Sequence, residues 1–418
     1  MSFSLKKIGP GLLFAGAAIG VSHLVQSTRA GADFGFGLIW ALLLVNIFKY
    51  PFFQFGPRYA MATGETLLDG YKKLGKGVLI AYFILTIATM FTIQTAVTIV
   101  TAGLAESIFG DFISTKIWTV IILSICFVIL IIGKYSFLDK LMKFIIITLT
   151  LSTIVAVCFA FKNSTQPTAL TQVFPNAMQF GFLIAFMGWM PAPLDISVWH
   201  SLWAIEKKKE DTDFSVKSSL FDFNVGYFAT IILGLGFLAL GALVMFNSGE
   251  NFSGKADVFS NQLISMYTKS LGNWSYLIIG IAAFTTMFST TLTTLDASPR
   301  AMAKTTQLLF GNQMKRSYLV WILILISGTI LIFFKFKSDM ALLITIATVL
   351  SFITAPLYAI ANYVLISSRH TPKEWRPSTG IHILSWLGLL FLVGFSVWYI
   401  ALNKDMFIQF YDWLTQLL

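Results

Sequence analysis

Residues 186–200 read Phe186-Met-Gly-Trp-Met-Pro-Ala-Pro-Leu-Asp-Ile-Ser-Val-Trp-His200. Two prolines two residues apart, a glycine, an acid and a histidine sit here inside a long apolar run. A proline in a helix interior removes a backbone donor and clashes with the turn before it, so Pro191 and Pro193 together break the helix. In lipid, broken backbone is tolerated only where it lines a cavity or is buried in protein. The break is therefore expected at a binding site near the bilayer midplane. A second oddity lies near the N-terminus. Gly16-Ala-Ala-Ile-Gly-Val-Ser-His-Leu-Val-Gln-Ser-Thr-Arg29 begins apolar, then places Ser22, His23, Gln26 and Arg29 inside the first span. One interrupted helix early and one midway is the pattern of a two-fold repeated transporter.

Composition agrees with a membrane setting. The 418 residues are 56% hydrophobic and only 11% charged, with a mean hydropathy of +0.78, whereas soluble domains carry about 25% charged residues. In a soluble chain the net charge of +10 would suggest nucleic acid. Here it reads as Lys and Arg retained in cytoplasmic loops, with the lipid bilayer as partner and no nucleic acid. Nothing near the start reads as a cleavable signal. Cys126 and Cys158 lie in apolar runs and are expected in the core, without a disulfide or metal role. There is no Gly-rich phosphate loop, Ser-His-Asp spacing or Cys/His cluster, so neither an enzyme nor a cofactor is expected.

At about 20 apolar residues per span, hydropathy predicts eleven helices: 10–30, 35–60, 78–108, 115–133, 141–161, 178–204, 219–246, 273–300, 317–335, 340–367 and 379–402. The polar stretch from Asn247 to Asn273 is expected to hold a small surface helix, and Met406–Leu418 an amphipathic interfacial segment. Lys and Arg concentrate on alternate loops, for example at Lys72, Lys73, Lys76 and Lys207–Lys209. By the positive-inside rule the N-terminus is cytoplasmic and the C-terminus outside, in a cytoplasmic (inner) membrane. Helices one to five then oppose helices six to ten. This is the LeuT-type arrangement, a 5+5 inverted repeat with helices one and six broken: residues 8–161, then 178–367, then an extra helix at 379–402, all one transport domain over 1–418.

Several polar residues are candidates to line the site. His23 is costly inside lipid and suited to bind a metal or carry a proton, against a purely packing role. Ser22 and Gln26 add hydrogen-bonding capacity, and Gly20 lets the backbone come close to a ligand. Asp195 follows Pro193 and either caps the next helical half or offers a carboxylate to a cation, next to carbonyls freed around Met190, Pro191 and Pro193. His200 is a candidate proton carrier or a structural group. In helix eight, Thr290, Thr291 and Thr294 either bond one turn back or complete a Na⁺ site. Asp296 and Arg300, one turn apart, either pair with each other or form an inner gate. Asn362 and Tyr363 are weaker candidates for the lining.

Gly9-Pro-Gly-Leu-Leu, Arg29-Ala-Gly-Ala-Asp-Phe-Gly-Phe36, Leu38-Ile-Trp40 and Ala60-Met-Ala-Thr-Gly-Glu-Thr-Leu-Leu-Asp69 resemble the first two helices of the Nramp divalent-metal transporters. His200-Ser201-Leu202 resembles the end of that family's sixth helix. The resemblance implies the scaffold of an eleven-helix member. Where the family carries Asp-Pro-Gly-Asn in helix one, this chain has Gly20-Val21-Ser22-His23. The family's Met-Pro-His of helix six falls on Pro193-Leu194-Asp195 in one register and on Met190-Pro191-Ala192 in another. The usual Mn/Fe ligand set does not carry over, and His23 and Asp195 stand as its nearest substitutes.

The expected function is thus secondary active transport of a cation, a divalent metal at an altered site, by alternating access coupled to H⁺ or Na⁺. The alternative is a small organic solute such as an amino acid or amine, held by Phe186, Trp189 and Trp199. A non-transporting sensor is the remaining class.

Overall fold

The first predicted span is two helices joined at an angle. In this computed structural model α1 (Pro10–Ala18) and the helical stretch Ser22–Phe34 are bent by 48° at the break between them. That stretch is a π-helical turn over Ser22–Ser27 followed by α2 (Thr28–Phe34). The sixth predicted span divides likewise. α8 (Phe180–Trp189) ends where Met190 turns extended, the Met190–Pro191 bond is cis, and α9 (Ile196–Glu210) starts after Asp195. The proline pair prevents backbone bonding here, as the sequence predicts.

Unbroken rods surround these two. In chain order they are α3 (Ile39–Thr63), α5 (Lys76–Phe109), α6 (Thr115–Ile132), α7 (Tyr135–Asn163), α10 (Val216–Val244), α12 (Tyr276–Phe310), α13 (Ser317–Lys335), α14 (Met340–Ser367) and α15 (Thr379–Leu402). Eight helices are long and apolar enough to cross a membrane, and the bent first pair makes a ninth. α7 and the α8–α9 pair occupy the remaining two predicted spans. The structure describes residues 9–110, 112–132, 135–163, 169–176, 179–246, 252–311, 316–335 and 340–404. The predicted interfacial segment 406–418 lies outside them.

Two short helices sit between the rods. α4 (Leu67–Leu74) starts on a capping box, with Thr66 accepting from the Asp69 amide and Asp69 accepting from the Thr66 amide. α11 (Ala256–Leu271) falls in the polar stretch where a surface helix was expected, but it packs on α5 and α7 and buries Phe259, Leu263 and Tyr267. The outer wall of the bundle is apolar: Ile84, Ile132 and Leu390 are 60%, 76% and 66% exposed, as suits a wall solvated by lipid. Cys158 is on that wall and not in the core, whereas Cys126 is buried. An apolar run in a membrane helix does not distinguish interior from lipid, which is why the sequence placed both thiols inside.

The broken helices lie at the centre. α1 and α2 pack along α10, α9 along α3, α8 along α14, and α12 along α5. The start of α1 is held from α10, where the Asp222 carboxylate accepts from the amides of Gly9 at 3.0 Å and Gly11 at 2.6 Å. Those are first-turn donors with no partner inside their own helix. A Cβ on Gly11 would stand 2.0 Å from the Asp222 carbonyl oxygen, so the glycine of the Gly-Pro-Gly stretch is required by this crossing.

Candidate functional site

The two breaks meet at one cavity. Ala17, Ala18, Val21 and Ser22 line it from the first, and Trp189, Pro193, Ile196 and Trp199 from the second. Ile93 and Val97 of α5 and Thr290 and Thr294 of α12 complete it. Its volume is about 20 Å³, room for one water-sized occupant.

On the helix-one side, three donor atoms form a small triangle. Ser22 Oγ lies 2.6 Å from the Ala18 carbonyl oxygen and 2.6 Å from His23 Nδ1, and Nδ1 is 3.1 Å from the same carbonyl. The other ring nitrogen, Nε2, is 3.0 Å from the carbonyl oxygen of Thr230 on α10. Both ring nitrogens thus face a carbonyl, which only accepts, and the neutral ring carries its proton on one nitrogen and a lone pair on the other. In the Nε2–H tautomer the Ser22 hydroxyl is the one hydrogen-bond donor of the triangle, and Nδ1 keeps its lone pair. Gln26, also buried, has no partner for Oε1.

Met190 ends α8 and reaches the same glycine as the imidazole. A Cβ built on Gly234 of α10 would be 3.6 Å from both Met190 Sδ and His23 Cδ2. The thioether and the imidazole thus both face Gly234. Asp195 is 4% exposed, makes no capping bond, and its Oδ1 has no hydrogen-bond partner. Its carboxyl lies in the neighbourhood of Tyr82 and Tyr358, which line a second cavity of about 320 Å³ between α5 and α14. No contact joins Asp195 to His23. Pro193, two residues before it, and Ile196, the next residue, line the small cavity.

Of the three threonines, Thr290 faces helix one. Its hydroxyl is 3.1 Å from Gly16 O, 3.2 Å from Ile19 O and 3.2 Å from Thr286 O. Four oxygens share one proton there. Thr291 and Thr294 instead face α5, bonding Thr101 at 2.8 Å and Gln94 at 2.7 Å. His200 sits apart from the cavity, stacked on Phe14 and against Phe223, with no hydrogen-bond partner on either ring nitrogen. Asp296 and Arg300 pair at 2.8 Å, and the Tyr318 hydroxyl donates to Asp296. Asn362 ties α14 to α3 and α9 through Phe52 O and Ser197 Oγ, and Tyr363 contacts His382. Neither lines the cavity.

One group absent from the sequence candidates is Lys49 of α3. It is fully buried, and its Nζ donates to Met187 O at 2.8 Å, Gly188 O at 2.7 Å and Ala192 O at 3.4 Å. The signal was available: a lysine ten residues into an apolar span.

The model of the Nramp family, natural resistance-associated macrophage protein-like, matches residues 11–402. The chain belongs to the Nramp family. It is 36% identical over 401 residues to the uncharacterized protein PM0681 of Pasteurella multocida, covering 94% of this chain and 92% of that one. It is 22% identical over 413 residues to the divalent metal cation transporter MntH of Staphylococcus saprophyticus, covering 94% and 91%. Among solved structures, a mutant of the Eremococcus coleocola manganese transporter superposes with a TM-score of 0.73 at 13% identity, over 96% of this chain and 87% of that one. MhsT in complex with L-phenylalanine gives 0.63 at 13% identity, over 94% and 99%. The architecture of this Nramp chain is the LeuT-type fold, and it is an integral membrane protein.

Proposed function

We propose that this Nramp-family chain carries a divalent metal cation across the cytoplasmic membrane by alternating access, with its N-terminus cytoplasmic and its C-terminus outside. The observation that carries the reading is the meeting of the two breaks at a cavity sized for a single ion. An amino acid or amine finds no room there in this conformation.

The ligand set proposed is Ala18 O, Ser22 Oγ and His23 Nδ1, with the Met190 thioether facing Gly234 as the ring does. Ligands at about 2.1 Å in octahedral geometry stand about 3 Å apart along an edge. The triangle edges of 2.6, 2.6 and 3.1 Å suit one face of such a shell. An imidazole with a nearby thioether favours transition metals over Mg²⁺ or Ca²⁺. Asp195 supplies the negative charge that balances the ion, and Gln26 an additional oxygen. Coupling is assigned to Na⁺ at Thr290, where Gly16 O, Ile19 O and Thr286 O surround one hydroxyl. Three carbonyls around a hydroxyl with one proton leave lone pairs for a hard cation. His200 is proposed as a proton carrier, and the Asp296–Arg300 pair as an inner gate. Residues 8–161 and 178–367 are the inverted repeats, and 379–402 the added helix.

The test is uptake of Mn²⁺, Fe²⁺ and Mg²⁺ into proteoliposomes with and without a Na⁺ gradient, alongside His23→Ala. The reading expects transition-metal uptake, stimulated by Na⁺ and lost in the variant. Equal uptake by His23→Ala refutes the ligand set, and absence of any metal uptake refutes the cargo.

A further inference from the structure

The end of α8 already holds an amine from a neighbouring helix. The last carbonyls of a helix have no partner within it and carry the negative end of its dipole, and at this break the proline pair frees one more. Three of these oxygens, from Met187, Gly188 and Ala192, converge on the Lys49 ammonium at 2.7–3.4 Å. Among the described residues no carboxylate lies within ion-pairing distance of it, so peptide oxygens alone solvate the charge. That is how an ion site treats a free monovalent cation, here tethered by a side chain from the neighbouring rod.

We propose that the carbonyl cluster at the helix-six break is a monovalent-cation site occupied by the chain's own Lys49, which positions the break for transport. Two consequences follow from the geometry. The carbonyls of Met187, Gly188 and Ala192 are committed to the ammonium and do not ligate cargo, which leaves the helix-one set of Ala18, Ser22 and His23 to hold the ion. And α3 is fastened to the broken helix by charge, so the break cannot unwind further or straighten without moving the ammonium. An ammonium with three protons and three acceptors fits this cluster fully; a guanidinium, planar and wider, does not.

The experiment is chemical rescue. Lys49→Ala removes a propylammonium-sized piece and leaves the three carbonyls. Metal uptake by the reconstituted variant is expected to fall at least about tenfold and to recover several-fold with millimolar n-propylammonium chloride. n-Propanol, similar in size and neutral, is expected not to restore it. Uptake at the wild-type rate without the amine overturns the proposal, and so does equal rescue by the alcohol, which would make the role one of filling space. An amine arm needs no variant and no transport: wild-type protein is pulsed with an acylating reagent and each lysine read by mass spectrometry. Lys49 is expected to label far more slowly than Lys72 or Lys73, and labelling at their rate overturns the site. The inference rests on the transport reading only in its uptake arm, so failure of transport and failure of the lysine site are told apart.

Discussion

Gly20 packs directly on Thr290: a Cβ added to Gly20 would stand 2.8 Å from Thr290 Cγ2 and 2.9 Å from its hydroxyl. The first break is thus shaped around a hydroxyl that reaches it from α12. Neither residue works without the other, because the glycine makes the room and the threonine supplies the oxygen.

Gly20→Ala is therefore expected to push Thr290 away from Gly16 O and Ile19 O and to remove Na⁺ stimulation while leaving a folded protein. Thr290→Ala should do the same by deleting the oxygen, and Thr290→Ser should retain it. Loss of a coupling ion removes a factor of about 5–150, which uptake measured against external Na⁺ resolves. Stimulation unchanged in Thr290→Ala would remove the sodium assignment.

His23→Ala deletes the ring whose Nδ1 completes the triangle. Even outer-shell partners of a metal ligand are worth about 10–100-fold in affinity, so a direct ligand should cost at least that. Titration of Mn²⁺ binding measures it. Ser22→Ala should weaken binding less, since Ala18 O and Nδ1 remain. If the order is reversed, the serine rather than the histidine leads the site.

Asp222→Ala takes the acceptor from two buried amides of the first turn of α1. Leaving such groups unsatisfied costs about 1–3 kcal/mol, and the melting temperature in detergent should fall accordingly. Gly11→Ala is expected to be worse, because its Cβ would meet backbone at 2.0 Å, and size-exclusion chromatography should show misfolded material. An unaltered melt in both variants would contradict the packing of α1 on α10.

At the start of α4, burial alone would raise the Asp69 carboxyl, but Lys304 at 2.8 Å and Thr66 outweigh it and hold the group below its ordinary value of 3.8. The unfolded chain then binds this proton more readily than the folded one. The Asp69–Lys304 link between α4 and α12 therefore stabilises fully above the ordinary value and is lost as pH falls through the lower folded one. Melting temperature followed from about pH 7 down to about pH 3 should drop less steeply in Asp69→Asn than in the native chain. Parallel curves would show that the pair contributes nothing.

The helix-six break was legible because Pro191 and Pro193 leave an α-helix no way through. The helix-one break was legible only from misplaced polarity, since Gly20 tolerates a helix, and the π-helical turn at Ser22–Ser27 left no mark in composition. Span positions could be read because lipid imposes a length. Which face of each span is interior could not, as Cys158 shows. His23 is singled out for its cost in lipid, and Lys49 bears the same cost inside the predicted span 35–60. Its three carbonyl partners lie more than 130 residues away, and local reading has no access to them. The same distance hid Asp222 from Gly9 and Gly11.

α5 and α12 come from opposite halves of the chain, and their side chains are laced together through Thr101 to Thr291 at 2.8 Å, Thr294 to Gln94 at 2.7 Å and Gln94 to the Thr291 carbonyl at 3.3 Å. Sliding one rod past the other by a single turn would break every one of these bonds. The pair behaves as a keel. In the alternating access proposed above, the moving helices swing against that fixed spine.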